Sequence, residues 1–380
     1  MRNLRGQREY LKKAEKVVVK IGTSLLAGPV AGINQERIES ISDDINELNR
    51  QGILVAVVSS GAIGAGMNRL GLAERPKTIP GKQSVAAVGQ GLLMAAYDRA
   101  FSRHKRAVGQ MLLTGDDFLS RQRYSNARNT INALFESGIV PVINENDTVA
   151  VEELKVGDND NLSALVANLI SADLLVILSD VDGLFDSDPR RNSGAKLISD
   201  VKKIDSNLEK MSRRAGSSVG TGGIFTKIQA AKKATAAGTA VVIANGQKTN
   251  VLRMVINGEN IGTLFHPAEK CLGSRKRWIA FGAAAKGGLV VDEGAEHALR
   301  TGKSLLPSGI LSCRGKFRFG DAVTVVSAKN QEIGRGLVNF SSEEIERIKG
   351  KKTSEIESIL GYKNYDEVIH CDSLALLGGK

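Results

Sequence analysis

Several short stretches of the sequence carry side chains that could hold an anion or a small zwitterion. In Val156-Gly157-Asp158-Asn159-Asp160-Asn161, two aspartates and two asparagines abut the apolar series Leu162, Leu165, Val166 and Leu169. That series has helical spacing, so a helix is expected to begin near Leu162, with Asn161 as its N-cap. A calcium loop of the EF-hand type fails, because its fifth position would be Leu162 and its sixth Ser163 rather than glycine. A cap accounts for Asn161 and leaves the two neighbouring carboxylates without a structural reason.

Five other stretches carry related chemistry. Lys20 ends the apolar run Val17-Val18-Val19, where a buried ammonium needs an anion unless it snorkels to the surface. Ser59-Ser60-Gly61-Ala62-Ile63-Gly64-Ala65-Gly66 suits either close backbone approach to a carboxylate or phosphate, or a tight turn with close helix packing. The stretch from Ser217 to Lys227, SSVGTGGIFTK, puts glycines and hydroxyls before a helix and a lysine in its first turn. A lysine there opposes the helix dipole, and a bound phosphate is the simplest reason for it, against the plainer reading of a flexible linker. Ile143-Asn144-Glu145-Asn146-Asp147-Thr148 mixes amides with acids, which suits an amino acid needing acceptors for its ammonium and donors for its carboxylate, or a polar turn. Ser179-Asp180-Val181-Asp182-Gly183 fits a nucleotide edge or a type I turn. Together these groups point to phosphoryl transfer onto a small acid. Two generic nucleotide motifs fail: GAIGAGMNRLG lacks the G-x-G-x-x-G register, and TGKS at 301–304 has His297 where a P-loop needs glycine. The TGKS segment is assigned instead to the core of a second domain.

The elements that must position these groups follow from periodicity. VVVKI (17–21), ILVAVVSS (53–60), AVGQMLL, the segment around Ile139–Ile143, LLVILSD and AVVIAN (240–245) are expected strands. They alternate with helices such as 33–52, stopped by Gly52, and 83–101. Apolar strands separated by helices predict an α/β fold with a mainly parallel sheet sandwiched between helices, whose ligands lie beyond the carboxyl ends of the strands. After about residue 266 a basic linker leads to GGLVVD, GILSCRGKF, DAVTVVS and IGRGLVNF, which predict a small, mainly β domain with one helix near Asp292–Thr301.

Composition sets the outer bounds. The chain has 380 residues, 42% hydrophobic and 24% charged, enough for two or three domains with substantial cores. Cys271, Cys313 and Cys371 are far apart and are expected as reduced thiols, not a disulfide framework or zinc site. The charged N-terminus has no signal-peptide core and no stretch would span a bilayer, so a cytoplasmic protein without membrane contact is expected. A net charge of +11 invites a nucleic-acid reading, but with 4% aromatic residues, stacking platforms are scarce.

VVKIGTS, SSGAIGAG, AAVGQ, GQMLLT, NARNT, PVINENDTV, KVGDNDNLSAL and GTGGIFTK, in that order, resemble the glutamate 5-kinases, a branch of the amino-acid kinase family. LVVDEGAEHALRTGKSLLPSGI resembles the opening of a PUA domain. The resemblance implies an amino-acid kinase domain over 13–266, a linker over 267–285 and a PUA domain over 286–366. It implies ATP-dependent phosphorylation of the L-glutamate γ-carboxylate, the first step of proline biosynthesis, with Mg²⁺ bridging the β- and γ-phosphates. Lys20 and Lys227 would sit on the phosphoryl oxygens, with Asp160 holding them in place. Ser60, Asp147 and Asn159 would hold glutamate. Ser179, Asp180, Thr221, Gly222, Gly223, Ile224, Phe225 and Thr226 would hold ATP with the two lysines. No protein-held metal site is implied.

The partners implied are L-proline as feedback inhibitor, acting through the loop with Glu152, Glu153 and Lys155 and near Asp117, a glutamyl-phosphate reductase, and further copies of the chain as dimer or tetramer. Ser59, Ser179 and Ile224-Phe225 depart from the commoner threonines and Met-Ser of relatives, and Phe225 changes the bulk of the phosphate loop. The basic extension before Val17 carries no assigned role. The competing readings are a relative acting on aspartate, N-acetylglutamate, carbamate or a nucleotide, an RNA-binding protein using Lys270, Arg275, Lys276 and Arg277, and an inactive scaffold. A free α-amino group suits Asp147 and Asn159 better than an acetylated one, and the two lysines with the phosphate loop argue against the scaffold.

Overall fold

The structure is a computed structural model of the chain, and it describes residues 8–28, 32–149, 158–187, 192, 194–205, 208–209, 223–268, 276, 279–280 and 283–377. The chain divides into two compact units, Met1–Asp117 with Ser125–Lys270, and Phe118–Tyr124 with Cys271–Lys380.

In the first unit, β-branched and apolar runs form β1 (Lys16–Ile21), β2 (Leu54–Ser59), β3 (Val108–Leu113), β4 (Val140–Glu145), β5 (Leu174–Ser179), β6 (Asp200–Val201), β7 (Ala240–Asn245) and β8 (Thr263–Phe265). They make one sheet in the order β3-β4-β2-β1-β5-β7-β8-β6, parallel throughout except where β8 runs antiparallel to β7. β1 lies centrally, with Ile21 opposite Ser59 of β2 and Leu178 of β5. The mainly parallel sheet expected from the sequence is what the chain forms. The chain fills one side of β1 before crossing to the other, so the crevice at the carboxyl ends of β1, β2 and β5 is a topological switch point.

The interleaved helices are α1 (Thr23–Leu26), α2 (Gln35–Arg50), α3 (Ala62–Arg69), α4 (Ile79–Ser102), α5 (Gly115–Leu119), α6 (Arg121–Glu136), α7 (Asn159–Ile170), α8 (Ile224–Ala236) and α9 (Val251–Ile256). Helix α4 begins earlier than 83 because Thr78 caps it, accepting from the Gly81 N–H at 3.2 Å, with Pro80 in the first turn. Helices α3 and α4 touch backbone to backbone: a Cβ on Gly66 would lie 1.9 Å from the Val85 carbonyl oxygen, and one on Gly89 1.8 Å from that of Ala62. Close helix packing, one of the two readings of the SSGAIGAG stretch, is therefore the role of Gly66.

The extension before Val17 has a structural role that the sequence did not disclose. The Arg8 side chain is 1% exposed and its guanidinium donates to the carbonyls of Ser199 at 2.5 Å, Ile261 at 2.6 Å and Glu259 at 3.2 Å. It also pairs with the Asp200 carboxylate, at 3.7 Å. One buried cation thus ties the segment before β1 to the β6–β8 edge.

The second unit has the five-stranded sheet β10 (Ile310–Gly315), β9 (Ala285–Val291), β11 (Ala322–Ser327), β12 (Glu332–Leu337) and β13 (Leu374–Leu376), in that order. Its core is built from Leu289, Val291, Leu299, Val323, Val325, Phe340 and Ile345. The expected helix is α10 (Glu293–Arg300), capped by Asp292, but α11 (Ser342–Ile348) and α12 (Ile356–Leu360) are present as well. A capping box of Ser341 and Glu344 starts α11, a signal present in the sequence. The TGKS segment is not core: Thr301, Gly302 and Lys303 are exposed in the turn ending α10, where Gly302 takes φ 87°.

Candidate active site

Asp160 organises the site. It stands in the first turn of α7, fully buried, beside the carboxyl end of β1 and the first turn of α8. Its Oδ1 lies 2.6 Å from Lys20 Nζ, and its Oδ2 lies 3.2 Å from Lys227 Nζ and accepts from Thr226 Oγ1 at 2.7 Å. Both lysines are 4% exposed. Lys20 is therefore not a snorkelling surface residue. Burial alone would raise the Asp160 carboxyl, but the two ammonium groups and the Lys20 and Thr226 hydrogen bonds outweigh it and hold the group below the ordinary carboxylate range. Burial, aided by the Lys20 charge, pulls Lys227 below the usual lysine range despite Asp160. Two cations on one carboxylate leave a net positive charge at the end of a buried strand, an arrangement suited to phosphoryl oxygens.

A chain of amides stands beside it at the ends of β2 and β4. Asn159 Nδ2 donates to Ser59 O at 2.9 Å, Ser60 Oγ at 3.0 Å and Asn144 Oδ1 at 2.9 Å. Asn144 Oδ1 also accepts from the Glu145 N–H at 2.9 Å, and its Nδ2 donates to Gln90 Oε1 at 2.9 Å. The orientations are fixed by chemistry, since a backbone N–H can only donate and the Ser59 carbonyl can only accept. Among the described residues no hydrogen bond to Asn159 Oδ1 is found, which leaves that oxygen available as an acceptor there. Behind the chain, the Ser59 and Tyr97 hydroxyls meet at 2.8 Å.

The structure thus brings together Lys20, Lys227, Asp160, Asn159 and Ser60. Asp147 is half-buried just beyond β4. Ser179 ends β5 and donates to Asp180 Oδ1 at 3.1 Å, while Asp182 pairs with Lys248 at 2.9 Å. Gly223 is the N-cap residue of α8, and Ile224, Phe225, Thr226 and Lys227 form its first turn. Thr221, Gly222, Glu152, Glu153, Lys155, Lys270, Arg275 and Arg277 lie outside the described residues.

One expectation is corrected. Helix α7 begins at Asn159, and its cap is Asp158, whose Oδ1 accepts from the Asn161 N–H at 2.7 Å. Asn161 is inside the helix, where its Oδ1 accepts from Lys233 Nζ at 2.5 Å. Burial and the nearby Asp160 charge raise the Asp158 carboxyl. Sequence reasoning also missed Asn144 and Gln90, although both stand in quoted motifs, INEND and AAVGQ. It placed Thr226 only against nucleotide, not against Asp160.

A family model for the amino acid kinase family matches residues 15–245, and one for the PUA domain matches 287–360. The chain belongs to the amino acid kinase family. It is 53% identical to a glutamate 5-kinase of Caldanaerobacter subterraneus subsp. tengcongensis over 363 residues, 95% of this chain and 98% of that protein. A glutamate 5-kinase of Thermoanaerobacter sp. is 52% identical over the same shares. A third, from Citrifermentans bemidjiense, is 49% identical over 98% of this chain and its whole length. These likenesses bear out the resemblance carried by the sequence motifs. No helix among the described residues is long and apolar enough to cross a membrane.

Proposed function

We propose that this chain transfers the γ-phosphoryl group of ATP to the γ-carboxylate of L-glutamate, giving L-glutamyl 5-phosphate and ADP as the first step of proline biosynthesis. The observation that carries the reading is Asp160 clamped between Lys20 and Lys227, beside the amide chain of Asn159 and Asn144. The likeness to glutamate 5-kinases across nearly the whole chain supports the choice of acid.

The substrate carboxylate is already ionised and needs no general base. One of its oxygens attacks the γ-phosphorus in line, the bond to the β-phosphate oxygen breaks, and ADP leaves with the electron pair. Lys20 and Lys227 offset the charge that shifts toward ADP, and the α8 loop, with Thr221 to Lys227, together with Ser179 and Asp180, holds the nucleotide. Asn159 Oδ1 and Asp147 accept from the glutamate ammonium, and Ser60 lies against the same ligand. Both Asp160 oxygens are already engaged, so the donor set fits Mg²⁺ held by phosphate oxygens and water, not by this carboxylate. When bound, the metal supplies further neutralisation of phosphate charge.

The reading extends to a kinase domain over 13–266, a linker over 267–285 and a PUA domain over 286–366, in a cytoplasmic protein. Self-association into a dimer or tetramer is part of the same reading, carried by the likeness to the glutamate 5-kinases. Proline as inhibitor and a glutamyl-phosphate reductase as acceptor of the product belong to the same proposal. Coupled ADP release with glutamate is the direct test. Lys227→Ala should lower kcat on the order of 10²–10³-fold. Equal turnover by both proteins would refute the site assignment, and hydroxylamine trapping over a panel of acids would expose a wrong substrate.

A further inference from the structure

Two polar side chains of helix α4, Gln90 and Tyr97, reach the ends of β4 and β2. They stand at i and i+7 and so share one face of the helix. Gln90 Oε1 meets Asn144. Tyr97, 1% exposed, meets the fully buried Ser59 hydroxyl to hydroxyl at 2.8 Å, and Ser59 Oγ also lies 3.0 Å from the Ser60 carbonyl oxygen. The protons available set the direction of these bonds. A carbonyl can only accept, so the single Ser59 proton goes to Ser60 O, and Ser59 Oγ accepts from Tyr97. The reverse order would bury the phenol proton without an acceptor, since among the described residues the Tyr97 hydroxyl has no other partner. Burial pushes the Tyr97 hydroxyl above the ordinary tyrosine range, opposed only in part by the Ser59 hydrogen bond, so the phenol keeps its proton.

We propose that Tyr97 is a positioning residue for the acid substrate, orienting Ser60 through the Ser59 hydroxyl. Ser60 is gripped at each of its polar groups. Its N–H donates to Ile21 O at 3.2 Å, its carbonyl accepts from Ser59, and its Oγ accepts from Asn159 Nδ2 at 3.0 Å. Among the described residues no bond donated by Ser60 Oγ is found, which leaves its proton available to an oxygen of the bound acid. Gly61 follows at φ 109°, and glycine restrains the chain least of all residues. The orientation of Ser60 therefore depends on its hydrogen bonds, and Tyr97 fixes the hydroxyl that makes one of them. The inference rests on the reading of Ser60 as a contact of the substrate.

The test is steady-state kinetics of the full chain at a temperature where every variant is folded, with melting midpoints measured alongside. Tyr97→Phe removes one oxygen and should raise KM for glutamate about fivefold, as expected for the loss of one buried hydrogen bond. Both kcat and KM for ATP should stay within about twofold of wild type, because neither Lys20 nor Lys227 belongs to the relay. Ser59→Ala should raise KM for glutamate further, and Ser59→Thr, which keeps the hydroxyl, should restore it. Because Tyr97 acts through Ser59, adding Tyr97→Phe to Ser59→Ala should raise KM no further. An unchanged glutamate KM in Tyr97→Phe, whatever its melting midpoint, would make the pair merely structural and overturn the proposal. So would a loss confined to kcat, equal rises in KM for glutamate and ATP, or effects that multiply in the double variant. Should wild type turn over another acid in the hydroxylamine panel and not glutamate, the choice of substrate alone fails, and the same KM comparisons decide the role of Tyr97 with that acid.

Discussion

The carboxylate of Asp160 faces two ammonium groups, while that of Asp158, two residues earlier, faces a backbone N–H. The sequence made the crowding of these acids visible and matched Asp160 to the two lysines, but it put the cap on Asn161 and left Asp158 without a role. Asp158 and Asn161 are both favoured cap residues, and the apolar series that marks the helix starts only at Leu162. It starts late because the first turn of α7 presents Asn159 and Asp160 to the site instead of to the core. Lys20 and Lys227 were legible because an ammonium on an apolar strand or at a helix N-terminus needs a reason. Gln90 was not, because nothing in a helix sequence says that a glutamine 54 residues away will orient Asn144. It does so by accepting from Asn144 Nδ2, which keeps Oδ1 turned toward Asn159. Gln90→Leu should therefore raise KM for glutamate by about tenfold with a smaller effect on kcat, since one buried amide donor loses its acceptor. Gln90→Glu keeps an accepting oxygen and should restore KM. Parallel losses in both variants, or a loss confined to kcat, would contradict the positioning role.

At the scale of elements, the long strands and helices of the first unit were legible because each keeps one periodicity over many residues. Helices α11 and α12 were not, being too short to establish a period. Two element contacts carry predictions. Asp44 of α2 is 4% exposed and accepts from the Leu252 N–H of α9 at 3.1 Å. Burial raises its carboxyl to about 6. The fold therefore favours the protonated form, so this contribution to stability is fully present below the ordinary carboxylate range and is lost as pH rises through about 6. Asp44→Asn keeps an acceptor for Leu252. It should raise stability at pH 7.5 by on the order of 1–2 kcal/mol, after allowing for solvent screening, and change little near pH 4. Denaturant melts at the two pH values would show the difference, and an equal shift at both would rule it out. Gly89→Ala forces a methyl onto the Ala62 carbonyl and should cost about 1–3 kcal/mol or more by separating α3 from α4. Since α3 follows directly on Ser60 and Gly61, glutamate KM should rise with it.

For the whole molecule, a mainly parallel sheet was legible and its strand order was not. Order depends on which strands meet across long separations, and a local pattern does not encode that. The segment before β1 shows this most clearly. Arg8→Ala removes a buried cation and several carbonyl contacts, and should lower stability by on the order of 3 kcal/mol, read as a lower midpoint in urea with kcat at permissive temperature retained. An unchanged midpoint would mean that the segment is not part of the cooperative unit. The bond from Arg8 to Ile261 spans 253 residues, and the one to Ser199 spans 191. During synthesis the segment emerges ahead of every strand of the sheet, while Glu259 and Ile261 leave the ribosome only after nearly the entire first unit has been made. At about 5–20 residues per second, Arg8 waits on the order of ten seconds or more for a place to dock. The far edge of the sheet is thus closed by a segment made well before it, and a nascent kinase unit cut short before residue 259 would leave that arginine only the Ser199 carbonyl of the three.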